Sequence, residues 1–333
     1  MSMSTTADSA GGQDHAELDA GLVAGVTDRG VRHQRNEDAI ALATVYTAEG
    51  PVPLAIISDG VSSAPRPHEA SLAAVRAAIG VLAESVAAGE EPGAASIAAV
   101  RTAASALIKL AGPGGAPAAT YVSAVAAPDA VTVCWLGDSR AYWLAADPAQ
   151  CTRVTRDDSL AEELVAAGLA SPEEAMASPQ AHVITRWLGA DLPEPVPHVV
   201  SFTPPGPGAL LVCSDGLWNY RPEAAGLAAL LALPSALGDP LAAASSLVRF
   251  AVEAGGMDNI TVALIPLPVR TATVPIPIRT ATVPVPTPTV PVPTATPPAP
   301  LPPERLSKGV GHRLVSIVPP IWRGPRPCGA GGP

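Results

Sequence analysis

Two stretches far apart in the chain, Leu54-Ala55-Ile56-Ile57-Ser58-Asp59-Gly60 and Leu210-Leu211-Val212-Cys213-Ser214-Asp215-Gly216, end the same way, as an apolar run that stops at a Ser-Asp-Gly corner. A third run, Val131 to Leu136, stops at Gly137-Asp138, and Gly256-Met257-Asp258-Asn259 leads into the β-branched run Ile260-Thr261-Val262. Short apolar runs bounded by glycine and aspartate read as buried strands whose ends reach the surface. Four carboxylates therefore sit at strand ends, on rigid supports. Like charges gathered at one rim cannot all stay ionised without a cation to neutralise them. The pattern predicts a hard-metal site with oxygen ligands.

Composition limits the alternatives. Hydrophobic residues make up 48% of the 333-residue chain but aromatics only 3%, so Ala, Val and Leu must fill the core. The formal net charge of -10 excludes general binding to a phosphate backbone, which needs a basic face, and so predicts no nucleic-acid partner. Cys134, Cys151, Cys213 and Cys328 are scattered without the close pairs of a zinc site. Cys134 and Cys213 lie inside apolar runs, as buried reduced thiols would. The first twenty residues lack the basic-then-apolar layout of a signal peptide. The Ala-Leu stretches are broken by Arg, Glu, Gly or Pro short of a membrane span. A soluble, cytoplasmic protein with no membrane partner is expected.

Along the chain, residues 1–20 are expected to be disordered and 268–333 to form a proline-rich tail, leaving 21–267 as the patterned domain. Leu72, Val75, Ile79, Leu82 and Val86 recur at spacings of three and four, which predicts a helix over His68–Ala88, and a second follows over Ala95–Leu110. Thr120–Ala126 and Ala130–Leu144, separated by Pro128-Asp129, read as a hairpin with long arms. Ser159 followed by Glu162 marks a capped short helix, and further helices are expected at Ala224–Leu233 and Pro240–Ala254 before a last strand at Asn259–Leu264. Paired helices among strands favour a layered α+β arrangement over regular βαβ winding. In the tail, Arg270-Thr-Ala-Thr-Val-Pro is repeated from Arg279 and alternating proline continues to Pro303, which predicts an extended linker or a docking segment for a partner that reads proline-rich motifs.

The densest signal is Asp28-Arg29-Gly30-Val31-Arg32-His33-Gln34-Arg35-Asn36-Glu37-Asp38. Alone it would pass for a solvated charged loop. It is followed in order by Ser58-Asp59-Gly60, Gly137-Asp138-Ser139-Arg140, Ser214-Asp215-Gly216-Leu217-Trp218 and Gly256-Met257-Asp258-Asn259-Ile260-Thr261. In this order and spacing the set resembles the metal-dependent protein phosphatase family, PPM or type 2C, in its bacterial form, over roughly Gly21 to Leu267. The resemblance implies a four-layer α/β/β/α sandwich of two antiparallel sheets, with two Mn or Mg ions at its edge. Carried over by position, Asp59 bridges both ions, Asp215 and Asp258 complete one site, Glu37 and the Gly60 carbonyl serve the other, and Asp38 orients the attacking water. It further implies hydrolysis of phosphoserine and phosphothreonine on proteins, opposing serine/threonine kinases.

The sequence departs from the family pattern at several points. His33 stands where the family often has its phosphate-binding arginine, so Arg35 or Arg32, with Arg35 favoured, is expected to hold phosphate and His33 to assist. No histidine follows Asp59-Gly60, which leaves the leaving group without that proton donor; Arg66 in the same loop is a candidate for phosphate or for the plain surface. Asp138 resembles a ligand of a third ion, but Asn219 replaces its expected partner, so that third site is expected to be weak or absent. A serine esterase reading of Gly137-Asp138-Ser139 lacks an acid-histidine motif. The other reading is a regulatory pseudophosphatase or phosphoprotein-binding module that uses the tail for assembly, against which stands the complete set of carboxylates.

Overall fold

A computed structural model describes residues 2–5, 14–192, 194–231, 233 and 237–267, all of them within one compact unit, Met1–Val274. The expected proline-rich tail lies outside the described residues. Two six-stranded antiparallel sheets make the centre. The first runs β1 (Ser2–Thr5), β4 (Asp38–Thr47), β5 (Gly50–Asp59), β7 (Tyr121–Ala126), β8 (Val131–Leu136) and β12 (His198–Phe202). The second runs β10 (Thr152–Arg153), β9 (Arg140–Ala145), β13 (Gly208–Cys213), β14 (Ile260–Leu267), β3 (Ala24–Asp28) and β2 (His15–Asp19). A small pair joins β6 (Ala118–Ala119) to β11 (Leu188–Gly189).

Period-two alternation divides each strand between two packing layers. On β4, Ile40 and Leu42 enter the layer between the sheets, whereas Ala39, Ala41 and Ala43 face α1 (Pro67–Ala87) and α2 (Pro92–Leu110). On β5 the sizes reverse opposite Ala41, Leu42 and Ala43, with Leu54 and Ile56 toward the helices and Ala55 toward the other sheet, where Ile57 joins Ile40. Large and small residues thus interlock across neighbouring strands. On the far side, Leu211, Cys213, Val262 and Leu264 pack against α6 (Ala224–Leu231) and α7 (Pro240–Glu253). The result is the expected four-layer sandwich. Three remaining short helices, α3 (Leu160–Ala166), α4 (Pro172–Met176) and α5 (Asp215–Trp218), lie outside these layers or at the sandwich edge. Ser159 caps α3 through the Glu162 amide, as the sequence predicts.

Three expectations are corrected. The segment 1–20 is not wholly without structure, because β2 pairs with β3 from His15↔Asp28 to Asp19↔Ala24 and buries Leu18; a single buried side chain on a polar strand leaves too little pattern to read. The long hairpin arm Ala130–Leu144 breaks at Gly137, whose φ of +99° turns the chain out of the first sheet at β8 and into the second at β9. Finally, α1 and α2 are each long and apolar enough, by length and composition, to cross a membrane. Their apolarity has a local use: Ala70, Ala74, Ala78 and Leu82 of α1 and Ala95, Ala99, Ala103 and Leu107 of α2 are buried in the layer above the first sheet.

At Gly25 of β3 an added Cβ would meet Ile40 Cδ1 of the facing sheet at 2.6 Å and the Val262 carbonyl oxygen of the neighbouring strand at 2.7 Å. Gly25→Ala should lower stability by about 1–3 kcal/mol through overpacking. Urea unfolding checks this, as a fall in midpoint at unchanged slope.

Candidate active site

Strand ends bring the acidic motifs together at one edge of the sandwich. Asp38 opens β4 directly opposite Asp59, which closes β5. Asp215 follows β13 as the first residue of α5, Asp258 precedes β14 by two residues, and Asp138 follows β8. The α5 turn lies so close to the start of β14 that a Cβ on Gly216 would sit 2.0 Å from the Asn259 carbonyl oxygen. Only glycine permits that approach. A cleft of about 520 Å³ opens over this edge, lined by Asp59, Asp138, Asp215 and Asp258 among others.

Neutral donors hold the carboxylates in place. Asp38 is 7% exposed, and its Oδ2 accepts 2.7 Å hydrogen bonds from the Ser214 and Thr261 hydroxyls. Asn36 Nδ2 donates to Thr27 Oγ1 at 2.8 Å, and Asn259 Oδ1 accepts the Glu37 amide at 2.7 Å. The Glu37 carbonyl in turn accepts from the Gly60 amide at 3.1 Å, and Ser62 donates to the Glu37 carboxylate at 2.5 Å. Behind Asp138, Arg140 and Asp157 form a buried two-point ion pair at 3.0 and 2.7 Å. The Arg140 guanidinium lies 3.5 Å over the Trp218 ring, whose Nε1 donates to the Asp138 carbonyl.

Burial and mutual repulsion outweigh the pull of Arg140 on Asp138, and the cluster's proton affinities rise. Burial, with repulsion from Asp258, pushes Asp38 up to about 6 against the pull of its hydroxyl donors, and burial with repulsion from Asp157 pushes Asp138 up to about 7. Asp59 and Asp215 stand well above the usual carboxylate range, through burial first and then the neighbouring aspartates.

A family model described as protein phosphatase 2C matches residues 28–245. The chain belongs to the protein phosphatase 2C family. Protein phosphatase PhpP of Streptococcus pneumoniae is 36% identical over 132 residues, which are 40% of this chain and 51% of that protein. The chain therefore matches about half the length of this curated relative. In three dimensions it resembles a serine/threonine phosphatase of S. agalactiae, with a TM-score of 0.59, 27% identity and coverage of 75% of this chain and 97% of that one. It also resembles the catalytic domain of the phosphatase PstP in complex with two manganese ions, with a TM-score of 0.57, 25% identity and coverage of 73% and 96%.

The type 2C residues present fit a divalent cation. Asp38 Oδ1 and Asp215 Oδ1 are buried and have no hydrogen-bond partner among the described residues, a costly state for an acceptor unless a positive charge faces it. Among the described residues no three His, Cys, Asp or Glu side chains already close on one point as in a preformed cage. Mg and Mn suit such a set, because these ions complete their shells with water and phosphate oxygens.

The remaining expected residues divide by position. His33 Nε2 lies 3.1 Å from Asp258 Oδ1, beside the cluster. Arg35 reaches His68, with Nη1 2.7 Å from Nε2, and burial together with Arg35 holds that imidazole below its ordinary range. The Arg32 side chain is exposed and makes no hydrogen bond or ion pair among the described residues. Arg66 is drawn away from any phosphate role: it donates to the Leu110 carbonyl and to Glu69 at 3.4 Å, fastening α1 to the end of α2. Asn219 Nδ2 donates to Asp215 Oδ2 at 3.2 Å. Sequence reading missed Ser214, Thr261 and Asn259 as anchors although they sit inside the quoted motifs, since a hydroxyl or amide beside an aspartate gives no signal of which way it points. It also gave no role to His68, which meets Arg35 from a helix start, or to His182, which lines the cleft from a distant loop.

Raised folded-state values relative to about 3.9 in an unfolded chain mean that the metal-free protein takes up protons on folding. The contribution of these aspartates to stability is therefore fullest in acid and is lost as pH rises through about 6 for Asp38 and about 7 for Asp138. In chelator the melting temperature should fall between about pH 5 and about pH 8, and added Mn should reverse most of the fall by binding the folded state. A chelated protein that grows more stable over that interval would contradict the crowding.

Proposed function

We propose that this chain is a metal-dependent serine/threonine protein phosphatase, acting in the cytoplasm on phosphoserine and phosphothreonine made by serine/threonine kinases. The observation that carries the reading is the set of buried and half-buried, mutually repelling aspartates at strand ends, two of them with a buried oxygen that has no hydrogen-bond partner among the described residues. Glu37, Asp59, the Gly60 carbonyl, Asp215 and Asp258 would hold two Mn or Mg ions. Such ions, when bound, neutralise the phosphoryl oxygens and make water a stronger nucleophile near neutral pH. The manganese in PstP and the family's match over 28–245 support that choice.

The protein's own groups do the rest. Asp38, fixed through Oδ2 by Ser214 and Thr261, keeps Oδ1 as an acceptor that orients a water against the phosphorus. Arg35, steadied by His68, offers its fork to the phosphate oxygens. His33 steadies Asp258. Asp138 has Trp218 on its carbonyl, and Asn219 serves Asp215 instead of supplying a further carboxylate, so a third ion is held weakly or not at all. Every group named for the chemistry precedes Leu267, which leaves residues 268–333 as a passive linker or as a docking segment for a partner.

After stripping with chelator, the protein should hydrolyse a phosphothreonine peptide only when Mn or Mg is restored. Asp215→Asn should lower turnover by orders of magnitude while leaving the fold intact. A stripped protein that binds the phosphopeptide but never turns it over with metal would favour a phosphoprotein-binding module. Steady-state kinetics locate the phosphate grip: Arg35→Lys should raise KM on the order of tenfold, the loss expected from one charge-assisted pair. Arg32→Lys should leave KM unchanged, and the reverse pattern would move the role to Arg32.

A further inference from the structure

The hydrolysis proposed above leaves one chemical need unmet. When the phosphorus–oxygen bond breaks, the serine or threonine oxygen departs as a strongly basic alkoxide, and the loop after Asp59-Gly60 has no histidine to protonate it. Five of the chain's six histidines lie among the described residues. Four of these have a polar side-chain partner: His15 with Asp28 at 2.7 Å, His33 with Asp258 at 3.1 Å, His68 with Arg35 at 2.7 Å and His198 with Asp158 at 2.8 Å. The fifth, His182, differs on both counts that matter. It is the one histidine among the described residues that lines the acidic cleft, and its ring nitrogens have no hydrogen-bond or ion-pair partner there.

His182 is nevertheless held. Its ring stacks on Trp218 with centroids 5.8 Å apart and planes inclined by 26°. Trp218 belongs to the α5 turn that begins with Asp215, and its Nε1 donates to the Asp138 carbonyl at 3.0 Å. One indole therefore fixes both a wall of the carboxylate cluster and the imidazole beside it. The backbone on either side of the histidine is tied as well, with the Ala181 amide donating to the Ser178 carbonyl and the Val183 amide to the Gln180 carbonyl. An exposed ring at the cleft wall, held by stacking and with no hydrogen-bond partner among the described residues, suits a group that must reach a bound ester. Imidazole is also the side chain that gives and takes protons near neutrality.

The geometry points to His182 as the catalytic acid that protonates the departing serine or threonine oxygen, an assignment that rests on the phosphatase reading. In the step, a water oxygen forms the new bond to phosphorus and the bond to the side-chain oxygen breaks. The imidazolium proton passes to that oxygen, giving the free hydroxyl residue. The attacking water gives up one proton by way of Asp38 to solvent, and the neutral imidazole regains its own from solvent.

Leaving-group dependence tests the assignment. A p-nitrophenyl ester departs as a weakly basic phenolate and needs no acid, whereas a phosphothreonine peptide does. In Mn-loaded protein, His182→Ala and His182→Phe should each lower the ratio of kcat/KM on the peptide to that on the aryl ester by on the order of a hundredfold, within the usual range for general acids. The loss should fall on kcat. His182→Phe preserves a ring for Trp218 to stack on, so it separates proton donation from support. Asp215→Asn, by contrast, should depress both esters together and leave the ratio near that of the wild type. An unchanged ratio in the His182 variants, with both activities falling in step, would overturn the assignment in favour of a supporting ring. Wild-type behaviour of His182→Phe on the peptide would overturn it too. A wild-type protein inactive on both esters would overturn the phosphatase reading, and His182 with it.

Discussion

Crowding of carboxylates at the ends of β4, β5, β13 and β14 is the constraint around which the rest of the molecule is arranged. An aspartate on a flexible loop relieves repulsion by moving into water. Here Asp38 and Asp59 are paired across a ladder, Asp215 is locked into a helical turn by Gly216, and Asp258 lies two residues before a strand. The backbones of Asp38 and Asp59 cannot part without breaking the ladder that joins them. The repulsion is therefore stored in the fold, and it is relieved by protons or by cations. That choice links stability, pH and metal in one equilibrium.

The neutral anchors explain why the cluster survives at all. Ser214 and Thr261 satisfy one oxygen of Asp38 and leave the other unpaired, so the charge is oriented but not neutralised. A cationic partner at that position would have been more stabilising for the empty fold and would have competed with a metal ion. The buried cation of the neighbourhood, Arg140, is instead matched by Asp157 and covered by Trp218. It supports the loop of Asp138 from behind without quenching the acidic edge.

Much of this was legible in the sequence because period-two burial and Asp-Gly strand ends are local signals. The strand runs at Leu54–Asp59 and Leu210–Cys213, the helices of the first outer layer and the acidic ligand candidates all follow from them. Contacts that need two distant segments were not legible. Nothing in the spacing of Arg35 and His68, 33 residues apart, predicts a 2.7 Å contact, and His182 meets Trp218 only through tertiary folding. Nor does sequence reveal that Arg66 turns to the Leu110 carbonyl, since a basic residue after an Asp-Gly corner reads equally as a phosphate ligand. The break at Gly137 was hidden for a different reason. Apolar residues continue on both sides of it, and only the positive φ shows that they belong to different sheets.

The ladder between β4 and β5 runs unbroken from Asp38↔Asp59 to Thr47↔Gly50. Sliding one strand by a single residue would set Ala39 against Asp59 and turn Ile40 and Leu42 from the inter-sheet layer toward the helices. Alignment of the chemistry and filing of the interior are thus one and the same measurement, taken along a ruler whose marks are side chains. A substitution at Leu42, which lies far from the cleft, therefore acts on the placement of Asp38 and Asp59 through the same ladder that packs the interior.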